Sequence, residues 1–250
     1  MLAAGQASRT PHWPVESNIH GAGVFGEHHR TLLWFHRRFS VVLDHIQHTC
    51  SEGNKPDIES CWQLSDGPVD CDQAARRVVT RHAQGNLLML FPVVLPETVL
   101  TIHEGERDPM RGWLPVEWGK KCIPAPLVRL TTPAYDPWNG DMASVLVPFA
   151  GAKPPRFEVQ ATGPDAVNDA RRAGCIRIDS GDGGHDLLIW TRRLEHAIDR
   201  QHGLVTDASL VHLRLNGAGA VMEGLMLDGT FCEFEGAELS GKLKRTDRLG

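Results

Sequence analysis

The stretch RTLLWFHRRFSVVLDHI, Arg30 to Ile46, decides the fold class. It holds two runs rich in apolar, aromatic and β-branched residues, Arg30–His36 and Phe39–Ile46, with only Arg37 and Arg38 between them. Such runs fit a pleated, half-buried surface, and so short a break predicts two strands rather than one helix. In the second run the period of two puts Phe39, Val41 and Leu43 on one face and Ser40, Val42 and Asp44 on the other.

The same texture continues outward. RRVVTRH (Arg76–His82) leads through Gly85-Asn86 into LLMLFPVVL (Leu87–Leu95), and ASVLVPF ends at Phe149. Cys175–Asp179 and Asp186–Arg192 are predicted to pair across a Gly-rich turn. SLVHLRL alternates, with Val211, Leu213 and Leu215 set against His212 and Arg214, and two more short strands flank Asp228-Gly229. Helix signals are few: PDAVNDARRAG (Pro164–Gly174) and RRLEHAIDRQHG (Arg192–Gly203) are the candidates. Prolines at 92, 96, 115, 124, 126, 133, 137 and 148 oppose long helices and suit edge strands and loops. The expected class is all-β, an antiparallel β-sandwich with few short helices. Pro and Gly cluster over 150–165, the best boundary between two lobes. Residues 1–22 read as a flexible lead-in and 237–250 as a frayed tail.

The totals narrow the functions. A chain of 250 residues can bury a large core. Its net charge of −5 gives no strong pull toward nucleic acid or an anionic membrane, and no run of about 18 apolar residues predicts a spanning helix. The N-terminus lacks the basic start and long apolar stretch of a signal peptide. Six cysteines, at 50, 61, 71, 122, 175 and 232, are too sparse for a disulfide scaffold and contain no C-x-x-C pair. They read mainly as buried thiols, with one disulfide among Cys50, Cys61 and Cys71 as the alternative.

Gly21-x-Gly23-x-x-Gly26 has the spacing of a dinucleotide loop, but no strand precedes it and a β pattern follows, so it reads as a lead into the first strand. His28-His29, His36 and His45-x-x-His48 offer imidazoles, yet strand neighbours and i,i+3 pairs point to opposite faces, so no metal site or cofactor is expected. DSGDGGHD (Asp179–Asp186) lacks the alternating acids of a calcium loop and reads as a hairpin turn. No Gly-x-Ser-x-Gly elbow is present.

Four segments, taken in order, resemble the β-sheet part of the heparinase II/III-like polysaccharide lyases. GVFGEHHRTLLWFHRRFSVVLDHIQH (Gly23–His48) is similar to that family's hairpin, a His/Arg-bearing strand before a strand ending in Asp, here Asp44. RDPMRGWLPVEWGKKCIPAPLVRL (Arg107–Leu130) is similar to its Gly-Trp segment, and DMASVLVPF to the strand that follows. HGLVTDASLVHLRLNGAGAVMEGLMLDGTFCEFEG (His202–Gly236) resembles its closing run, with Thr206-Asp207-Ala208 and Asp228-Gly229-Thr230. The resemblance spans residues 23–236 and implies a β-sandwich of the supersandwich type.

The resemblance also implies a division of labour. Full-length members join an N-terminal α/α-toroid to a C-terminal β-sandwich, and the catalytic Asn, His and Tyr lie largely in the toroid. A further His lies in the first part of the sheet domain. An H-x-x-x-D-x-G-s-f segment and, in some members, a metal site precede the hairpin seen here. This sequence contains neither, so the expectation is the C-terminal piece of such an enzyme, inactive without a separately encoded toroid. Full-length relatives are commonly periplasmic or secreted.

The implied chemistry is β-elimination. Neutralising the uronate carboxylate acidifies the C5 proton, a Tyr or His removes it, and a Tyr often protonates the leaving oxygen. No full catalytic set is present; the groups of the right type are Tyr135, the single tyrosine, and His29. A Tyr in a Pro-flanked loop is more often packing or capping, and a sheet histidine more often structural. Arg30, with His29, can reach an anionic sugar from the strand edge, since a guanidinium suits bidentate carboxylate or sulfate contacts. Trp118, like Trp113, can stack on sugar rings or pack in the core. The expected partner is an acidic polysaccharide, heparin-like or alginate. The alternatives are a non-catalytic carbohydrate-binding sandwich and a truncated remnant; a two-carboxylate glycosidase is a distant further one.

Overall fold

A computed structural model describes residues 2–6, 15–16, 23–35, 37–50, 57–83, 85–94, 97–133, 138–162, 173–191, 197–199 and 203–246. These residues are almost entirely β, with one 3-10 turn at Glu117–Gly119. They form two compact units, Met1–Pro154 and Pro155–Gly250.

The first unit is built on an eight-stranded sheet. Its order is Leu2–Gln6, Gly23–Phe35, Phe39–Cys50, Trp138–Phe149, Asn86–Val93, Arg77–Thr80 and Val69–Asp72, with Val15–Glu16 also on Gly23–Phe35. Every pair in it is antiparallel. Residues 2–6 and 15–16, in the stretch read as a lead-in, are therefore strands. Gly23 and Gly26 of the glycine motif also lie within a strand, and no helix follows them.

Opposite this sheet stands a three-stranded one, ordered Ile58–Gln63, Leu127–Thr132 and Val99–His103. Val78, Met89 and Phe91 of the large sheet meet Leu64, Leu100, Val128 and Leu130 in one buried cluster, which makes this unit a sandwich. Trp62 packs against the rim of that cluster. Ile46, Met142 and Ile58 form a smaller group beside it. In the Phe39–Cys50 strand both predicted faces are buried, Phe39, Val41 and Leu43 on one side and Val42 and Asp44 on the other. It lies inside the sheet between two neighbours, so alternation there separates two buried faces instead of core from solvent.

The Gly-Trp segment forms two small hairpins, Glu106–Arg107 with Met110–Arg111 and Trp113–Val116 with Lys121–Pro124. Gly112 joins them at φ 68, and a Cβ there would sit 2.4 Å from the His103 carbonyl oxygen, so the turn requires glycine.

The second unit pairs a six-stranded with a four-stranded sheet. The first runs Glu158–Thr162, Ala173–Asp179, His185–Thr191, Leu210–Leu215, Val221–Leu227 and Lys244–Thr246. Its last pair is parallel and the rest antiparallel. The second runs Ala197–Asp199, Leu204–Thr206, Cys232–Phe234 and Ala237–Glu238. Leu187, Ile189, Val211, Leu213 and Met226 meet Leu204, Cys232 and Phe234 in its core. The expected hairpin at Asp179–Asp186 is present, with register Asp179 to His185.

Two expectations are corrected here. The helix expected over Arg192–Gly203 is not formed where it is described: Ala197–Asp199 pairs with Leu204–Thr206, Gly203 turning the chain at φ 66. Two turns of helix gain little against a ladder that a neighbouring sheet completes. The other candidate, Pro164–Gly174, falls largely on residues outside those described, and Ala173 and Gly174 belong to a strand. The cysteines are not mainly buried: Cys61, Cys71 and Cys122 are exposed, Cys175 and Cys232 buried, and none of these five is in a disulfide. Cys61 and Cys71 therefore form no disulfide, and the side chain of Cys50 lies outside those described.

Candidate functional site

The opening hairpin carries the densest group of chemically competent side chains in the first unit. Its turn aligns Phe35 with Phe39, Arg37 taking φ 61, and the register then places Arg30 opposite Asp44 and His29 opposite His45. Alternation sends His28 and Arg30 to one face and His29 to the other.

On the first face Asp44 is buried, 3% exposed, and accepts three charge-assisted contacts. Arg30 donates to it twice, from Nε to Oδ1 at 2.7 Å and from Nη2 to Oδ2 at 3.0 Å. His28 Nε2 lies 2.7 Å from Oδ1, and a carboxylate only accepts, so that nitrogen carries the proton. Burial pushes the Asp44 carboxyl up, but the hydrogen bonds from His28 and Arg30 outweigh it and hold the group below its ordinary value. Arg30 also lies over the Trp62 ring, 5.6 Å from its centroid. On the opposite face His29 and His45 stack at 6.0 Å, and His45 Nδ1 reaches Asp141 at 3.2 Å.

The sequence candidates are thus separated. His29 and Arg30 do not share a face; on the side away from Phe39–Cys50, Leu2–Gln6 pairs with Thr31–Phe35 of their strand and its register stops short of both. Arg30 reaches out from the sheet face, its side chain 45% exposed. Tyr135 and the side chain of Trp118 lie outside those described; the Trp118 backbone is in the 3-10 turn. Trp113 donates from Nε1 to the Glu106 carbonyl at 2.6 Å, which ties the two small hairpins together. Among the described residues no three His, Cys, Asp or Glu side chains form a metal-holding group. His28 was considered from sequence only as a candidate metal ligand, and Trp62 and Asp141 were not singled out. His28 was recoverable by counting two residues back from Arg30, whereas Trp62 arrives from another sheet.

A second polar cluster lies in the other unit. Asp186 and His212 are both 0% exposed and bond at 2.8 Å. Arg214 donates to Asp186 at 2.7 Å and to both oxygens of Asp182, at 2.6 and 2.5 Å. The hydrogen bond from Arg214 depresses the Asp182 carboxyl to about 2. This network fastens the Ser180–Gly184 turn to the neighbouring strand. The closing-run residues are likewise structural: Asp207 accepts from Thr230 N, Thr230 Oγ1 and Phe231 N at 2.6–2.9 Å. A Cβ on Gly229 would meet the Ala208 Cβ at 2.4 Å.

With this geometry in hand, the comparisons with known proteins concern fold. No protein-family model and no curated protein sequence matches the chain. Solved structures do. Heparan sulfate lyase HepC from Pedobacter heparinus superposes with a TM-score of 0.51 at 16% identity, over 78% of this chain and 28% of that one. A heparinase III gene product gives 0.52 at 11%, over 75% and 27%, and a further heparinase III gives 0.51 at 12%, over 76% and 29%. The chain therefore has a fold found in heparinase II/III-like lyases, as the motifs implied, and spans less than a third of their length.

Proposed function

We propose that the chain is the C-terminal β-sheet portion of a polysaccharide lyase that acts by β-elimination on a uronic-acid-containing polysaccharide and requires an α/α-toroid for activity. The observation that carries this reading is the fold match, which takes in three-quarters of this chain and under a third of the lyases. The site supports the same division. Arg30 and His28, the basic side chains best placed to meet an anionic sugar, are committed to a buried carboxylate, which fixes their position. Such groups suit a substrate-facing wall more than a base that must accept a proton from C5. The base and acid would come from the toroid.

The test is an ultraviolet absorbance assay for the unsaturated uronate product, on heparin, heparan sulfate and alginate. The full chain is assayed alone and with a co-expressed toroid domain from the upstream reading frame. Product only with the toroid is expected. Product from the chain alone would refute the required toroid, and no product in either case would refute the lyase reading.

A further inference from the structure

The Gly23–Phe35 strand presents an exposed stripe on one face. His28, Arg30, Leu32 and Trp34 alternate onto that face, and all four are exposed, Leu32 at 44% and Trp34 at 50%. Leu32 and Trp34 are the exposed large apolar side chains among the described residues of this sheet, and two side by side need a reason. The three-stranded sheet covers the large sheet at Ile46 and Met142 through Ile58, and its edge strand reaches Arg30 with Trp62. The register partners flanking Trp34 are Ala3 and Ser40, and those flanking Leu32 are Gly5 and Val42. None of these register partners is acidic.

At the other end the charge is arranged asymmetrically. Asp44, the carboxylate that both basic groups contact, is buried beneath the surface, whereas His28 and Arg30 stand above it, 41% and 45% exposed. Asp44 occupies Nε and Nη2 of Arg30, and Nη1 makes no hydrogen bond among the described residues. An incoming ligand would meet a fixed guanidinium with a spare N–H pair. From Arg30 to Trp34 the strand covers about 13 Å. This is a flat indole, an apolar spacer and an oriented cation in line, matching a chain that alternates sugar faces with anionic groups.

We infer that this stripe is a docking subsite for a strand of acidic polysaccharide, with Trp34 stacking under one sugar ring and Arg30 Nη1 donating to a carboxylate or sulfate further along. The choice of ligand rests on the lyase reading; the stripe itself rests on geometry.

The test is calorimetric titration of the full chain with size-defined heparin and alginate oligosaccharides. Trp34→Ala should weaken binding at least about tenfold, the loss of one stacked ring, and Trp34→Phe should recover most of it. Circular dichroism and melting of both variants should match the parent, since the side chain is half exposed. Met222→Ser, at a residue 67% exposed in the other unit, should leave affinity unchanged. Binding to heparin alone would assign the anion as sulfate, and binding to both would assign carboxylate; either supports the subsite. No binding by the parent, or a Trp34→Ala affinity within twofold of it, overturns the inference even if a toroid restores elimination. Trp34-dependent binding without product under any condition would sustain the subsite and refute the lyase. Loss of toroid association in Trp34→Ala with oligosaccharide affinity intact would make the stripe a protein interface and overturn the proposal.

Discussion

Asp44 is the residue on which the candidate site turns. Replacing it with Asn removes the charge that holds Arg30 and His28, and hydrogen bonds to a charged group are worth about 1.5–3 kcal/mol. Asp44→Asn should destabilise the chain by that order in urea at neutral pH. Acid should act similarly. The Asp44 and Asp182 carboxyls are depressed in the fold, Asp182 to about 2. The stability they supply is complete above the unfolded value of about 4 and is lost as pH falls through the folded values. Denaturation midpoints should therefore drop between pH ~4 and ~2. Asp182→Asn should be weaker than the parent at neutral pH and show a flatter acid limb; parallel limbs would contradict the Arg214 linkage. The hairpin itself was legible in the sequence, but its register was not: a two-residue break at Arg37-Arg38 would set Arg30 opposite His45, whereas the turn that aligns Phe35 with Phe39 sets it opposite Asp44. Trp62 and Asp141 were not legible, since each arrives from a strand whose neighbour only the topology decides. Cysteine burial was likewise misread: Cys61 alternates outward on its strand, and Cys71 lies on the last strand of its sheet, where Asp70, Cys71 and Asp72 are all exposed. Cys61, Cys71 and Cys122 should alkylate in the native protein, whereas Cys175 and Cys232 should react only on unfolding. Burial pushes the Cys232 thiol up to about 12, which also keeps it inert.

At the scale of elements, the strands that were read correctly are those with strong local patterns and short turns. Cys175–Asp179 and its partner extend to Ala173–Asp179 and His185–Thr191. Gly174 faces Trp190 across that pair, and a Cβ there would lie 2.2 Å from the indole Cζ2. The glycine thus makes room for a buried tryptophan, which covers its bare backbone in turn. Gly174→Val should cost about 1–3 kcal/mol through overpacking, read as a lower melting temperature with an unchanged β spectrum. A neutral Gly174→Val would show that the ring moves aside freely. The expected helix over Arg192–Gly203 failed for the opposite reason. Its residues have adequate helix propensity, but the Cys232–Phe234 strand offers Leu204–Thr206 a partner and extends the sheet through Ala197–Asp199. Tertiary pairing overrode a weak local preference.

At the scale of the molecule, two units carry separate cores, one around Met89 and Val128 and one around Leu213 and Met226. The all-β class followed from repeated apolar alternation, and the lyase-type fold from the order of motifs, none of which is specific alone. The closing-run motif proved to be a loop clasp around Asp207, so its recurrence reports architecture and not chemistry. In the proposed function, this fold supplies a wall on which Asp44 holds the Arg30 guanidinium in place. The measurement that tests this account most directly is the formation of unsaturated uronate from heparin, heparan sulfate and alginate, with and without the co-expressed toroid. Product that appears only when the toroid is present is the predicted result. Product from this chain alone, or none with the toroid on any of the three, would contradict it.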